Sequence, residues 1–291
     1  MDILSQKYEI IDIIGQRALG QIYRIRDKKI KTEYFLKKIR KASESVPGID
    51  EEEFRNAINF LIHVKGTNIV NLIDYYNDKK DEYYYIILEK MDGDLDYLLK
   101  RKYKNGMLSS MIRKIFFQLN SALKIMIKEG KCLRNLKPSK ILFSYENDQQ
   151  TDFIIKLSGC GFSRDLAFKL SVCETRTFEA PEVGEGKFSL KCDLYSLGII
   201  LYMLKTGEYI FEGKNKFEIF TNKKKNKIKK DTDDAILNDL IKKLVVNDPR
   251  ERIEWNDYFN HPFFKENDDE KEIKINDNNL KTLVNTNMKK K

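Results

Sequence analysis

The stretch YEIIDIIGQRALGQIYRIRDKKIKTEYFLKKI (residues 8–39) sets the architecture of the first part of the chain. It holds three short β-branched or aromatic runs, YEIIDII (8–14), QIYRIRD (21–27) and YFLKKI (34–39), separated by turn-prone residues. Runs of this kind predict strands of an antiparallel sheet. From Asp50 to about Val64, the residues Phe54, Ile58, Leu61 and Ile62 recur at helical spacing. The acidic run at 51–53 suits the positive end of that helix's dipole. IVNLIDYY (69–76) and EYYYIILE (82–89) return to strand, with NDKKD between them as a turn. After Gly93 apolar residues fall three and four apart in MIRKIFFQLNSALKIMIKEG (111–130), LKCDLYSLGIILYMLKTG (190–207) and DDAILNDLIKKLVV (233–246). A small strand-rich lobe followed by a larger helical lobe is an α+β, two-lobed architecture.

Composition narrows the function. The 291 residues are 41% hydrophobic and 34% charged, enough to bury a sizeable core. Cys132, Cys160, Cys173 and Cys192 lie far apart with no CxxC pair, so neither a disulfide framework nor a cysteine zinc site is expected. That usage suits a reducing, intracellular compartment, cytoplasmic or nuclear. With only His63 and His261, a Ser-His-Asp triad or a multi-histidine metal centre has almost nothing to draw on. The start lacks the pattern of a signal peptide, and runs such as Ile199 to Leu204 fall far short of the roughly 20 apolar residues that span a bilayer. The net charge is +9, with Lys and Arg scattered along the chain and only two stretches dense, TNKKKNKIKK (221–230) and the terminal KKK. These read as a solvated lysine-rich loop and a polar tail (265–291). The alternative is a docking surface for nucleic acid or acidic membrane, although no aromatic residue interleaves the lysines.

Further motifs fall in a set order: IGQRALGQIY (14–23), FLKKI (35–39), LRNLKPSKIL (133–142), KLSGCGFS (156–163), EAPE (179–182), DLYSLG (193–198), DPRERI (248–253) and HPFF (261–264). Together they resemble a eukaryotic protein kinase domain over residues 8–264, with a sheet-containing N-lobe (about 8–91) and a helical C-lobe (about 92–264). The pattern is nearest to the calcium/calmodulin-dependent group. In that resemblance 14–23 is the glycine-rich loop over ATP phosphates, 133–142 the catalytic loop and 156–163 the metal-binding segment. It also implies a buried ion pair between Glu182 and Arg252, and a carboxylate, Asp193, that holds the catalytic-loop backbone.

The resemblance then exposes departures. Asn135 stands where the family has the aspartate that accepts the substrate proton, Lys140 where it has a metal-binding asparagine, and Gly159 where it has the main magnesium-binding aspartate. Ala57 takes the place of the helix glutamate, with Glu53 one turn earlier. The resemblance implies nucleotide contacts at Lys37, Gly15, Gly20, Ile22, Asp94 and Leu142, and Phe35 at a position where its ring would fill the adenine space. Arg134, Thr175 and Thr177 are the expected regulatory residues. The expectation from these departures is a pseudokinase, not an enzyme, that scaffolds or regulates a protein partner such as an active kinase. No cofactor is expected unless ATP is taken up without magnesium, Lys140 standing in for the metal. The alternative is an unconventional active kinase in which Glu53, Asp152 or Asp165 takes over a lost role.

Overall fold

Alternating side chains along residues 8–40 place one set on each face of a sheet, and the strands close on one another by antiparallel pairing. The computed structural model describes residues 2–17, 20–43, 48–64, 66–147, 152–159, 177–184, 186–187, 189–211 and 213–265. The strands β1 (Tyr8–Arg17), β2 (Gly20–Asp27), β3 (Glu33–Arg40), β4 (Leu72–Tyr76) and β5 (Tyr83–Glu89) form one antiparallel sheet in the order β1-β2-β3-β5-β4. One face buries Ile25, Leu36, Tyr85 and Ile87 under Tyr8 and under Leu4 of a short leading helix, α1 (Asp2–Lys7). The other face packs on α2 (Glu51–His63) through Phe54, Ile58, Val70, Tyr84, Ile86 and Leu88, with Phe54 stacked on Tyr84 at 4.1 Å between ring centres. Asp50 starts α2 by accepting the Glu53 N–H at 2.7 Å, the usual role of an acidic cap.

The second lobe is helical, as the three- and four-residue spacing predicts. It contains α3 (Leu95–Arg101), α4 (Ser109–Lys128), α5 (Pro181–Gly184), α6 (Cys192–Thr206), α7 (Lys216–Lys224), α8 (Ala235–Leu244) and α9 (Trp255–Phe259). Nearly every residue of α6 from Cys192 to Tyr202 is buried, which explains its all-round apolar sequence. Gly198 lets α6 approach the end of α8, because a Cβ there would stand 2.6 Å from the Val245 methyl. No helix among the described residues is long and apolar enough to cross a membrane.

Two elements depart from the sequence reading. A small sheet, β6 (Gly93–Asp94), β7 (Ile141–Tyr145) and β8 (Phe153–Leu157), sits in the helical lobe. Its β8 end ties the lobes together, since the Val70 N–H donates to the Leu157 carbonyl at 3.1 Å and Ile69 bridges Leu157. The lysine-rich stretch is no loop at its start: α7 runs to Lys224, capped by Asn215, and Lys223 is only 6% exposed. A lysine can be buried when its ammonium meets backbone carbonyls, and Lys223 donates to those of Thr177 and Glu179. Further along, Lys229 pairs with Glu208.

Candidate active site

The site begins with β3. Leu36 enters the core beneath α1, so its neighbour Lys37 faces the opposite way, toward α2 and the second lobe. In register Lys37 lies between Ile22 of β2 and Ile86 of β5. Its ammonium stands 3.4 Å from the Ser158 hydroxyl, just beyond the end of β8. Lys37, Leu61, Val70, Ile86, Leu88, Leu157, Ser158 and Gly159 line a narrow recess of about 10 Å³, room for one water. Phe35, two residues before Lys37, lies between Arg24 and Leu88 in register and is partly exposed. It is not among the residues lining that recess. Leu142, paired with Asp94 across β6 and β7, packs against the cluster of Val70 and Leu88 from the other lobe.

The start of β2 is drawn tight against the end of β3. Gly15 pairs with Ile22, and Gly20 pairs with Ile39 so closely that a Cβ at Gly20 would sit 1.8 Å from the Lys38 carbonyl oxygen. Only glycine tolerates that approach. On α2, Glu53, Ala57 and Leu61 succeed one another at four-residue intervals on one stripe, with Glu53 8% exposed and Ala57 fully buried.

The loop at 132–141 hangs from α6. Asp193, 1% exposed in the first turn of α6, accepts the Leu133 N–H at 2.6 Å. Burial pushes its carboxyl up to about 6, partly offset by that backbone bond and by the charge of Lys140. Arg134 follows with φ 59°, in the left-handed region, and the Asn135 N–H donates to the Leu133 carbonyl at 2.7 Å. Lys140 closes the short turn Pro138–Lys140, and its carbonyl accepts the Ser158 N–H at 2.8 Å. Its side chain lies across Gly159: a Cβ there would be 3.5 Å from both Cδ and Cε and 3.7 Å from Nζ. Lys37 and Lys140 thus converge on the adjacent residues Ser158 and Gly159. An ammonium beside a residue without a side chain does not fit a divalent cation, which requires oxygen ligands.

Asp94 caps α3 by accepting the Tyr97 N–H at 2.8 Å. The Thr177 carbonyl accepts from Tyr209 and Lys223, and the Ser196 hydroxyl donates to the Phe178 carbonyl at 2.8 Å. Thr175 lies outside the described residues, as do Cys160, Asp165 and Cys173. Glu182 at the start of α5 meets Arg252 in two hydrogen bonds of 2.7 and 3.0 Å, both side chains buried. Arg252 also donates to the carbonyls of Val246 and Lys191, and its guanidinium stands 5.2 Å from the centre of the Tyr195 ring.

Comparison with protein families matches residues 8–264 to the family described as "Protein kinase domain". The chain belongs to this family. Among curated proteins it is similar to calcium-dependent protein kinase 4 of Plasmodium falciparum, 29% identical over 275 residues covering 90% of this chain and 50% of the relative. It also resembles calcium/calmodulin-dependent protein kinase type 1 of Caenorhabditis elegans (27% identity, 91% of this chain, 76% of the relative). A putative serine/threonine-protein kinase of Acanthamoeba polyphaga mimivirus is 25% identical over 91% of this chain and 64% of its own length. The chain spans about half the length of the calcium-dependent protein kinases of Plasmodium that it matches.

These relatives correct one expectation. Read from Asn135, Lys140 and Gly159, the chain is not an enzyme. The match over the whole domain, to relatives named as protein kinases, overturns that reading. The physical reason lies in how phosphoryl transfer is catalysed. The protein contributes mainly positioning and charge neutralisation, which several groups share, so the changes at Asn135, Lys140 and Gly159 do not by themselves define the class. Loss of a general base costs on the order of 10²- to 10⁴-fold in rate.

Proposed function

We propose that this chain is an unconventional serine/threonine protein kinase domain. It transfers the γ-phosphoryl group of ATP to a hydroxyl of a protein substrate, with lysine charge doing what bound magnesium does elsewhere. The observation that supports this is the convergence of Lys37 and Lys140 on Ser158 and Gly159, at the seam of the two lobes, in a chain that matches the kinase family throughout 8–264. Two ammonium groups there present the concentrated positive charge a triphosphate requires. That lysine charge supplies the neutralisation which magnesium gives elsewhere, so the proposed binding needs no metal.

The remaining roles follow from position. Glu53, the buried acid one turn before Ala57 on the same α2 stripe, is assigned the role of orienting Lys37 in place of Ala57. Asp152 is excluded by distance: it precedes β8, and five strand residues separate it from Ser158, roughly 20 Å of extended chain. Asn135 holds the acceptor hydroxyl by a hydrogen bond. In the loose transition state of phosphoryl transfer, positioning of that hydroxyl matters more than early removal of its proton.

The test is transfer of labelled γ-phosphate to a serine- and threonine-rich protein such as casein, run with EDTA and with magnesium. Slow transfer in EDTA, lost in Lys37→Ala, is the expected result. No transfer by the unaltered chain at high enzyme concentration overturns the proposal. Binding is measured separately: ATP in EDTA at 100 times its Kd raises stability by about 2.7 kcal/mol, several degrees in Tm.

A further inference from the structure

We propose that Cys132 and Cys192 form a redox-active thiol pair, which a hydroperoxide oxidises to a disulfide tying the start of the catalytic loop to the first turn of α6. Sequence spacing gives no hint of it, because the two residues lie far apart and in no CxxC arrangement. In the fold their Sγ atoms and a carboxylate oxygen of Asp193 all lie within 4.8 Å of one another. Both are free thiols. Since an S–S bond is about 2.05 Å long, closure asks for at most about 3 Å of sulfur movement.

The two thiols are unequal. Cys132 is partly exposed, whereas Cys192 is only 1% exposed. Access therefore selects Cys132 as the attacking sulfur and Cys192 as the resolving one. Hydrogen bonding from Cys192, joined by the nearby Arg134 guanidinium, holds the Cys132 thiol below its ordinary range and favours the nucleophilic thiolate. The Cys192 thiol is pushed up, by that same contact and by burial, and stays protonated until it reacts.

In the first step the Cys132 thiolate attacks a peroxide oxygen. The S–O bond forms, the O–O bond breaks, and the departing oxygen leaves as water or alcohol after protonation. In the second step the Cys192 sulfur attacks the Cys132 sulfur. The S–S bond forms, the S–O bond breaks, and the Cys192 proton leaves with the oxygen as water. Two thiols lose two electrons and the hydroperoxide gains them. Because Leu133 and Asp193 are the next residues after the two cysteines, the disulfide would bracket the 2.6 Å bond between them. It would clamp the loop that carries Arg134, Asn135 and Lys140.

The experiment treats the whole chain with hydrogen peroxide, alkylates it under denaturing, non-reducing conditions, and maps its peptides by mass spectrometry. A peptide linking Cys132 to Cys192, loss of two thiols per chain without dimerisation, and full recovery with dithiothreitol are expected. Cys132→Ser should abolish the linked peptide and leave Cys192 alkylated. The proposal is overturned if Cys132 ends as a sulfinic acid with Cys192 still a thiol, or if either pairs instead with Cys160 or Cys173. Protection of both thiols from native alkylation by one equivalent of zinc overturns it too, because the cysteines and Asp193 would then be a metal site. None of these readouts depends on phosphate transfer, so failure here and failure of the proposed activity are distinguishable.

Discussion

Arg252→Met is the most direct perturbation of the scaffold beneath the site. Arg252 is 2% exposed, doubly hydrogen-bonded to the buried carboxylate of Glu182, and also donates to the Val246 and Lys191 carbonyls. Methionine keeps much of the volume but leaves Glu182 as an uncompensated buried charge, a defect that costs about 3–5 kcal/mol. At roughly 2–4 °C per kcal/mol for a domain of this size, Tm should fall by roughly 6–20 °C in a calorimetric or circular-dichroism melt. The companion variant Glu182→Gln/Arg252→Met removes both charges. Its remaining defect is the unpaired carbonyls, so it should be more stable than Arg252→Met alone, in spite of carrying one more substitution. The reasoning is refuted if Arg252→Met shifts Tm by less than about 2 °C, or if the double variant is destabilised by the sum of its two singles.

Other outcomes follow from the same geometry. Asp193 titrates near 6 when folded and near 3.8 when unfolded, so its contribution is fully present below 3.8 and is lost as pH rises through about 6. The Tm difference between the wild type and Asp193→Asn should shrink from pH 4 to 6 by the equivalent of about 3 kcal/mol and then level off, and a pH-independent difference would contradict this. Gly159 has φ 81°, so Gly159→Asp should cost about 1–3 kcal/mol in a urea melt. Its carboxylate would pair with Lys140, so a magnesium-dependent rise in the ATP-induced Tm shift is expected only in Gly159→Asp/Lys140→Asn. If the single variant already shows that rise, Lys140 is not where the side-chain contacts put it. Lys223→Met removes the ammonium that holds the Thr177 and Glu179 carbonyls, bonds worth about 1.5–3 kcal/mol each. Limited proteolysis between 177 and 187 should quicken, and an unchanged cleavage rate would count against that role.

Much of the fold is legible in the sequence because period and burial coincide there. The strands of 21–39, the helix near 51–63 and the helices within 111–130 and 233–246 each show an apolar face that the structure buries, whereas the helix within 190–207 is apolar and buried nearly all round. The β6–β8 sheet was hidden for the opposite reason. β6 has two residues, and β7 and β8 have five each and lie within the stretches 133–142 and 156–163 or beside them, where motif residues, not an apolar period, dominate the sequence. Lys223 misled in another way. Composition marks a lysine-rich run as solvated, but burial of one ammonium depends on where the Thr177 and Glu179 carbonyls lie, more than 40 residues away. In the candidate site, Lys37 could be placed on a strand from its own neighbours. Its approach to Ser158, the contact of Lys140 with Gly159, and the meeting of Cys132 with Cys192 are long-range, and no local pattern encodes them. One weak signal did exist: Cys132 immediately precedes the catalytic loop, and Cys192 immediately precedes Asp193, the carboxylate that the kinase resemblance ties to that loop's backbone.

The suspension of the 132–141 loop from Asp193 has an evolutionary consequence. The bond that fixes the loop's course runs from the main-chain N–H of Leu133 to a carboxylate on another helix, so it is indifferent to which side chains the loop displays. Residues 135 and 140 can be exchanged without rebuilding the backbone that presents them. Selection, or a designer, can therefore rewrite the chemistry of this site one letter at a time while the fold stays the same.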